Sequence, residues 1–355
     1  MTWPLLLRTR LERHLLAVWY AGQPANLLLR ALACGYSLLV TVRNWSYRSR
    51  LRRAVHPGPP VVVVGNLIVG GSGKTPVVVS LVEALRLSGM RVGVLSRGYG
   101  ARPARWPHQV TSGDDASVAG DEPLLIQRRT QVPVVVDPDR PRGAAELARL
   151  GVEVIVTDDG LQHLRLARDY ELVVVDGERG FGNGRLIPAG PLREPLERLE
   201  TVDAVLVNGA GRVPDLLARP HPPQWSLEVA PVALVNLMTG EEVAPAAPEP
   251  GTSVQAIAGI GHPQRFADTL AQLGWAPQLR AFSDHHRFQA VDIPSGRVLM
   301  TEKDAVKCVD FAHADCWYLK VDAPIPTGVL DALLSRLRET TGSNPPPSPT
   351  PGGVS

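Results

Sequence analysis

The sequence contains one glycine-rich stretch that ends in lysine, threonine and proline: Gly65-Asn66-Leu67-Ile68-Val69-Gly70-Gly71-Ser72-Gly73-Lys74-Thr75-Pro76. An apolar β-branched run, Val61 to Val64, precedes this stretch, and a helical pattern from Val77 to Leu87 follows it. A strand, a glycine loop and a helix in this order form the setting in which backbone N–H groups surround phosphate oxygens. The pattern therefore predicts a phosphate-binding loop made by Ile68, Val69, Gly70, Gly71, Ser72, Gly73, Lys74 and Thr75.

The loop departs from the standard phosphate-binding pattern at one position, because Ile68 stands where that pattern has its first glycine. Gly70 and Gly71 can supply the flexibility instead, and the alternative is a glycine-rich turn that binds nothing. The chain has only four lysines against 33 arginines, and one of the four is Lys74. We expect the Lys74 ammonium to reach the β and γ phosphates of a nucleotide, and the Thr75 hydroxyl to hold Mg²⁺.

The composition is that of an ordinary globular protein with two domains, or with one enlarged α/β domain. The chain has 355 residues, of which 44% are hydrophobic and 20% are charged. Its three cysteines, Cys34, Cys308 and Cys316, have the spacing of neither a metal site nor a disulfide framework. We therefore expect a reducing compartment.

The first 56 residues are strongly basic and contain several apolar runs. Nine arginines and one glutamate give them a net charge of +8, in a chain whose total is +2. This predicts an anionic partner surface, either lipid or nucleic acid, and the surrounding tryptophans and tyrosines favour lipid. The apolar run Ala31–Val42 is too short to cross a bilayer, and Pro24 and Arg30 are expected to interrupt anything longer. We predict a helix, or a broken pair, lying in the cytoplasmic leaflet, with packing on the core as the alternative.

Apolar runs alternate with helical patterns after the loop. These runs are rich in valine and isoleucine without a period of two, as in parallel strands that are buried on both faces. The alternation predicts an α/β fold with a doubly wound, mostly parallel sheet of the P-loop NTPase type over residues 57–220. Its predicted strands lie near Arg91–Leu95, Val132–Val136, Glu153–Thr157, Glu171–Asp176 and Ala204–Asn208.

The character of the sequence changes near Pro220. Residues 221–252 are rich in proline and predict a linker with short strands, and residues 253–341 predict a smaller second α/β domain. The tail 342–355 has the composition of a disordered segment. The predicted elements of the second domain are strands at Val254–Ala258, Val298–Thr301 and Trp317–Val321, and helices at Pro263–Leu273 and Val329–Thr340.

Acidic residues stand where predicted strands or loops end. Asp158 and Asp159 close a hydrophobic strand, and the carboxyl ends of parallel strands share one sheet edge with a phosphate loop. One of the two is therefore expected to bind Mg²⁺, although which one stays open, and a solvated turn is the alternative. Asp121 precedes a helical run and is either a helix cap or a base that accepts a hydroxyl proton.

Two further segments carry groups suited to proton transfer and phosphate binding. Asp284-His285-His286 offers a histidine that can face a carboxylate across a cleft between domains. The glycine- and proline-rich segment from Gly184 to Pro195 contains Arg185, Arg193 and Glu194. Its arginines could hold phosphate oxygens.

Seven motifs of this sequence, in this order, resemble the tetraacyldisaccharide 4′-kinases of lipid A biosynthesis. The resemblance covers about residues 10–340, and its most specific part is the long form of the phosphate loop, including the absent glycine at Ile68. The motifs are Val64–Pro76, Leu95–Gly100, Gly120–Pro123, Thr157–His163, Pro188–Glu194, Asp284–His286 and Thr301–Asp304.

This resemblance implies a kinase at the cytoplasmic face of the inner membrane, with no nucleic-acid partner and no obligate protein partner. It implies transfer of the ATP γ-phosphoryl group, with Mg²⁺, to the 4′-hydroxyl of a tetraacylated glucosamine disaccharide 1-phosphate, under a second domain that closes over the site. Asp121 would be the general base, paired with His285 in preference to His286, and Lys74 would neutralise developing charge. The implied surroundings of Mg²⁺ are Thr75, Asp159 and Glu194, with Asp158 as the other candidate.

Two other classes of protein could share the loop. A regulatory GTPase or metallochaperone needs a guanine-reading Asn-Lys-x-Asp motif, whereas Thr301-Glu302-Lys303-Asp304 has the wrong order. A membrane-recruited partitioning ATPase could share the loop and a membrane helix. It would leave a second α/β domain with Asp284-His285-His286 unexplained.

Overall fold

The computed structural model describes residues 3–209, 211, 213 and 222–342. Two N-terminal helices are followed by two β-sheets, each covered by helices. Of the predicted tail 342–355, only Gly342 lies among the described residues, where it ends the last helix.

The basic N-terminal segment forms a pair of helices, α1 (Trp3–Tyr20) and α2 (Leu27–Arg48). Pro24 lies between them, in agreement with the predicted break. The Asn26 side chain caps α2 by accepting a hydrogen bond from the Leu29 backbone N–H at 2.9 Å.

Helix α2 is longer than the apolar run predicted. The interruption expected at Arg30 does not occur, because an exposed arginine is a good helix former. The apolar run Ala31–Val42 lies within this longer helix, and α2 with its 22 residues is, by length and composition alone, long and apolar enough to cross a membrane. Most of α2 is not covered by the rest of the protein, and its buried residues are Leu29, Ala33 and Val40.

The first sheet has eight strands in the order β3-β4-β2-β5-β1-β6-β7-β8. All neighbouring strands in it are parallel except β3 and β4. The strands are β1 (Val61–Gly65), β2 (Val92–Ser96), β3 (His108–Val110), β4 (Val134–Val136), β5 (Val154–Asp158), β6 (Tyr170–Asp176), β7 (Ala204–Asn208) and β8 (Gln224–Leu227).

Both faces of the first sheet are covered, which explains the lack of alternation in the sequence. Val62 and Val64 of β1 enter one hydrophobic core, and Val61 and Val63 enter another on the opposite face. The helices between its strands are α3 (Lys74–Leu87), α4 (Ala116–Ala119), α5 (Asp121–Thr130) and α6 (Arg140–Arg149). A short 3₁₀ helix, Leu196–Thr201, precedes β7.

The second sheet has six strands in the order β10-β9-β14-β13-β11-β12, and its last four are parallel. The strands are β9 (Ala230–Asn236), β10 (Glu242–Val243), β11 (Thr252–Ala258), β12 (Trp275–Ala281), β13 (Val298–Thr301) and β14 (Cys316–Asp322). The helices that follow are α7 (Pro263–Gln272), α8 (Glu302–Ala305) and α9 (Thr327–Gly342), with 3₁₀ helices at Ala290–Asp292 and Val309–Phe311.

The segment that connects the two sheets contributes strands to both of them. Residues 221–252, expected to be a linker with short strands, give β8 to the first sheet and β9 and β10 to the second. Helix α9, expected in the second domain, packs Val329, Leu333 and Leu337 into the core of the first sheet. The second sheet is therefore held at both of its chain connections to the first.

Candidate active site

The phosphate loop joins β1 to α3 with the geometry of an anion site. Gly73 precedes α3 with φ of 78°, in the left-handed region that glycine adopts without strain. A Cβ at this position would lie 2.6 Å from Asn208 Nδ2, so the loop requires glycine here for a second reason. No side chain caps the helix, which leaves the first N–H groups of α3 available to phosphate.

The loop is shaped by a buried asparagine. Asn66 Nδ2 donates to the Gly70 carbonyl at 3.3 Å and to Ser72 Oγ at 3.2 Å. A Cβ at Gly70 or Gly71 would meet nothing within 4 Å, so this side of the loop is open to a ligand.

The segment around Leu192 pairs with the loop like an added strand. The Val69 N–H donates to the Pro191 carbonyl at 2.8 Å, and the Arg193 N–H donates to the Leu67 carbonyl at 2.6 Å. Ile68 is buried in the core and the backbone N–H of Val69 is bonded to Pro191, so the first two residues of the predicted loop are engaged in protein contacts. In the rest of the loop Gly70 and Gly71 are exposed, Gly73, Lys74 and Thr75 are half-buried, and Ser72 is buried.

Two cations surround Asp159, which follows β5. Lys74 Nζ lies 3.5 Å from Asp159 Oδ1, and Arg193 Nη1 donates to Oδ2 at 2.9 Å. Burial opposes ionisation of this carboxyl, but Lys74 and Arg193 outweigh burial and hold its pKa well below the usual range. Arg193 also donates to Asn66 Oδ1 and Gln162 Oε1, so one side chain connects the loop to the end of β5.

Asp158 is the last residue of β5 and is almost fully buried. Burial, followed by the charge of Glu122, raises the pKa of its carboxyl. The fully buried Arg140 donates to the backbone carbonyls of Asp158 and Leu95, at 2.8 and 2.7 Å. Arg140 thus ties the carboxyl ends of β5 and β2, and no pattern in the sequence identified it.

These acids fit a magnesium ion that is shared with phosphates. Asp159 Oδ1 is a buried acceptor without a hydrogen bond. Burial, followed by the charge of Glu122, raises the pKa of Asp158, and a bound cation would favour its ionised form. Carboxylate and hydroxyl oxygens are the donors that Mg²⁺ prefers, and it usually takes only one or two carboxylates beside substrate phosphates. Accordingly, the described residues contain no cluster of three acidic, histidine or cysteine side chains that could hold a metal alone.

Asp121 and His285 meet across the two sheets. His285 Nδ1 lies 2.9 Å from Asp121 Oδ2 and 3.2 Å from Oδ1, although the residues are 164 positions apart. Gly120 is the cap of α5 and Asp121 is its first helical residue, so the helix-cap alternative for Asp121 does not apply. The Tyr99 ring packs on His285 with centroids 4.7 Å apart.

The charges around this pair favour an ionised Asp121. Burial opposes ionisation, but the hydrogen bond from His285 and the nearby lysines outweigh it and lower the Asp121 pKa to about 2. Burial likewise lowers the pKa of His285, and the hydrogen bond and charge of Asp121 outweigh burial and raise it. The neighbouring His286 is turned away, because it stacks on Phe282 and bonds Asp292 at 3.1 Å.

Comparison with known proteins places this site in a family. The pattern described as Tetraacyldisaccharide-1-P 4'-kinase matches residues 25–338. The chain belongs to this family. A tetraacyldisaccharide 4'-kinase of Pseudomonas paraeruginosa is 51% identical over 333 residues, which are 92% of this chain and 98% of that protein. One of Azotobacter vinelandii is also 51% identical, over 335 residues with the same two shares.

The fold agrees with that of a solved relative. A crystal structure of LpxK from Aquifex aeolicus in complex with ATP superimposes with a TM-score of 0.73 at 28% identity. The match covers 86% of this chain and 97% of that chain. Both sheets of this tetraacyldisaccharide-1-P 4'-kinase family member therefore belong to the shared fold.

Glu194 has bonding partners different from those of Asp158 and Asp159. Its side chain is fully buried and accepts a hydrogen bond from Arg43 of α2 at 2.6 Å, with Arg198 Nε at 3.6 Å. Tyr36 of the same helix donates its hydroxyl proton to the Arg193 carbonyl at 2.9 Å. The N-terminal helix thus contacts the segment that pairs with the phosphate loop, a connection that the sequence did not predict.

Proposed function

We propose that this protein transfers the γ-phosphoryl group of ATP to the 4′-hydroxyl of a tetraacylated glucosamine disaccharide 1-phosphate, a precursor of lipid A. The observation that carries the proposal is the pair of the buried Asp121 with the half-buried His285, which the second sheet completes at the same edge as the phosphate loop. Membership of the kinase family names the acceptor.

The loop binds the nucleotide. Residues 70–75 and the first N–H groups of α3 surround its phosphates, and the Lys74 ammonium neutralises charge on the transferred group. Thr75, Asp158 and Asp159 would hold Mg²⁺, which supplies charge neutralisation on the phosphate oxygens when it is bound. Glu194 Oε1 is paired with Arg43, whereas Oε2 is buried without a hydrogen bond and would be the oxygen that Glu194 offers to such an ion.

Asp121 accepts the proton of the sugar hydroxyl. A carboxyl with a low pKa is a weak base, but phosphoryl transfer passes through a loose transition state in which positioning of the hydroxyl matters more than strong basicity. His285 orients the carboxylate, and Asp121 is ionised throughout the physiological pH range.

The second α/β unit closes over the nucleotide and excludes water as a competing acceptor. It carries His285, and its loop after β11 already approaches the phosphate loop: a Cβ at Gly261 would lie 3.3 Å from the Gly71 backbone nitrogen. Arg265 of α7 also donates to Asp176, at the end of β6, at 2.8 Å.

The protein acts at the cytoplasmic face of the inner membrane, where ATP and an amphiphilic acceptor can meet. Helix α2 exposes large apolar side chains and ends among arginines suited to anionic headgroups. The exposed apolar residues of this helix are Leu27, Leu28, Leu32, Leu38, Leu39, Val42 and Trp45.

Transfer of ³²P from γ-labelled ATP to a monophosphorylated lipid A disaccharide precursor, in detergent with Mg²⁺, tests the proposal. We expect a labelled bisphosphorylated lipid. Asp121→Asn should lower kcat by a factor of about 10² or more with ATP binding retained. Asp114→Asn is the matched control, because Asp114 also pairs with a histidine, His108, at 2.8 Å but lies away from the loop.

Free phosphate released equally with and without the lipid would reject the kinase and support the membrane-recruited ATPase. Near-normal lipid phosphorylation by Asp121→Asn would instead reject only the assignment of the base.

A further inference from the structure

One motif of the family resemblance has no part in the reaction described above: Thr301-Glu302-Lys303-Asp304, at the turn from β13 into α8. Several hydrogen bonds fix the local geometry of this turn. Thr301 caps α8 and donates its hydroxyl proton to Asp304 Oδ2 at 2.7 Å. The fully buried Asp304 also accepts the Gly259 N–H at 2.8 Å. This turn therefore presents the Lys303 side chain in a fixed direction.

The Lys303 ammonium has three N–H donors, and three acceptors surround it. Its Nζ lies 3.0 Å from Glu122 Oε1, 3.2 Å from Asp284 Oδ1 and 3.4 Å from His285 Nε2. Glu122 belongs to α5 of the first unit, whereas Asp284 and His285 belong to the second. Lys303 is thus bonded on both sides of the cleft, next to the Asp121–His285 pair.

The contact with His285 determines where the imidazole proton lies. An ammonium can only donate, so Nε2 must offer its lone pair to Lys303, and the single ring proton of a neutral imidazole then stands on Nδ1. Nδ1 is the atom that faces Asp121 at 2.9 Å. Lys303 therefore selects the tautomer that donates a hydrogen bond to the carboxylate.

We propose that Lys303 is a positioning residue of this kinase: it holds His285 in the Nδ1–H form that orients Asp121, and it does so from a bridge between the two units. The assignment to a kinase step depends on the proposed function, but the role toward the imidazole does not. Three of the four lysines in the chain lie within 4.0 Å of an aspartate of the site: Lys303 and Lys307 beside Asp121, and Lys74 beside Asp159. A compact ammonium fits three separate acceptors better than a planar guanidinium does.

The other charged groups around the ring are consistent with this role. Lys307 Nζ lies 3.9 Å from Asp121 Oδ2 and 2.7 Å from Asp304, and Asp284 Oδ2 lies 3.8 Å from His285 Nε2. Burial alone would favour loss of the Lys303 proton, but its carboxylate neighbours keep its pKa above the usual range, so Lys303 remains charged. The Lys303 charge lowers the His285 pKa and so opposes a second proton on the ring.

The two units do not depend on Lys303 to stay together. Arg129 of α5 donates to both carboxylate oxygens of Glu302 at 2.9 Å and also pairs with Asp322. Arg265 makes a second bridge to Asp176. Loss of the Lys303 ammonium should therefore change the tautomer of the His285 imidazole without separating the second sheet from the first.

The test compares Lys303→Met, which keeps the length of the side chain, with Lys303→Arg, which keeps the charge. Lys320→Met is the matched control, because the ion pair of Lys320 is with Glu242 of β10 in the second sheet. The tautomer of His285 is read by NMR on ¹⁵N-histidine-labelled protein, with its signals assigned by their loss in His285→Gln. The pH profile of kcat and the KM for ATP are measured on the same variants.

We expect the wild-type ring and the Lys320→Met ring to be protonated on Nδ1. Lys303→Met should give mixed tautomers, lower kcat by about 10-fold or more with little change in the KM for ATP, and move the acidic limb of the profile to higher pH. This sign follows because removal of a nearby cation raises the His285 pKa, so the ring takes its second proton at higher pH. Lys303→Arg should restore the acidic limb but only part of kcat.

A His285 ring that stays fully in the Nδ1–H form in Lys303→Met, with an unshifted profile, would overturn the inference even if activity were lost. A wild-type protein that phosphorylates no lipid would reject the proposed function instead. In that case the NMR comparison still decides the role of Lys303 toward His285.

Discussion

Asp159 and His285 share an unusual backbone conformation. Both have positive φ, 50° and 57°, which side chains other than glycine seldom adopt. Such conformations cost roughly 1–3 kcal/mol each and persist where surrounding contacts fix them. Here Lys74 and Arg193 hold Asp159, while Asp121 and Lys303 hold His285. Arg50 and Gln131 share this conformation outside the site, so what distinguishes Asp159 and His285 is the set of charged partners that holds each of them.

The depressed pKa of Asp121 predicts a pH-dependent contribution to stability. Folding lowers this pKa from 3.8 to about 2, so the ionised carboxylate stabilises the fold above pH 3.8 and this contribution is lost as the pH falls toward the folded value. The unfolding free energy of the wild type relative to Asp121→Asn should therefore fall by about 1 kcal/mol between about pH 5 and pH 3. Urea unfolding at each pH measures the difference.

Asp331→Asn is the control for this comparison, because Asp331 is exposed on α9 and its substitution should change the unfolding free energy by less than about 0.5 kcal/mol. A difference between wild type and Asp121→Asn that stays constant from pH 5 to pH 3 would show that the pair with His285 does not stabilise the ionised form.

The N-terminal helices have a second role at the scale of elements. They hold the segment that pairs with the phosphate loop, since Trp19 of α1 donates to the Pro188 carbonyl at 2.9 Å and α2 contacts Arg193 and Glu194. Arg193 in turn bonds Asn66 and Asp159. A helix suited to a membrane surface is therefore connected to the nucleotide site by side-chain contacts.

Arg43→Ala should destabilise the protein by about 2–3 kcal/mol, because it leaves the buried Glu194 carboxylate with only the longer contact to Arg198. Burial already raises the Glu194 pKa, which shows that its environment disfavours the charge. Urea unfolding near pH 7 measures the loss. Arg30→Ala, at an exposed position on the same helix, should change stability by less than about 0.5 kcal/mol. Equal values for the two variants would contradict a stabilising role for the Arg43–Glu194 pair.

The whole molecule combines a nucleotide-binding sheet, a second sheet that completes the site and an apolar helix on its surface. The second sheet is tied to the first by charged pairs on either side of the cleft, Arg129–Glu302 and Arg265–Asp176. Charged pairs at a cleft can re-form after separation more readily than a dry apolar interface, which is compatible with the closure proposed for the second unit.

Replacement of both Leu38 and Leu39 by Gln should weaken binding to vesicles that contain anionic phospholipid by about 10-fold, because both side chains are exposed on α2. Co-sedimentation measures the binding. Leu87→Gln is the control, since Leu87 is still more exposed but lies at the end of α3. Lipid phosphorylation in detergent should be unchanged in both proteins. Equal vesicle binding by the double variant and the wild type would place the membrane contact elsewhere.

The elements of the first sheet could be predicted because their signals are local. Valine-rich strands buried on both faces and a glycine loop before a helix are properties of short segments, and β7 begins and ends where the sequence predicted. Strand β12 has a weaker signal in the sequence, because it is an edge strand that contains Pro277 and has only Trp275 buried. The interruption predicted at Arg30 was wrong, since a charged residue in a sequence does not show whether a helix ends there or continues.

The sequence alone determined the α/β class, the phosphate loop and the residue types available for chemistry. Backbone conformation and burial are reflected in the residue types of short segments. Only the tertiary structure decided that His285 rather than His286 faces Asp121, that Arg140 and Arg193 hold the ends of β5, and that Lys303 bridges the two units. These contacts join residues far apart in the chain. Charge–charge and hydrogen-bond energies depend on distances of a few ångströms, which the packing of two sheets sets and which no local pattern records.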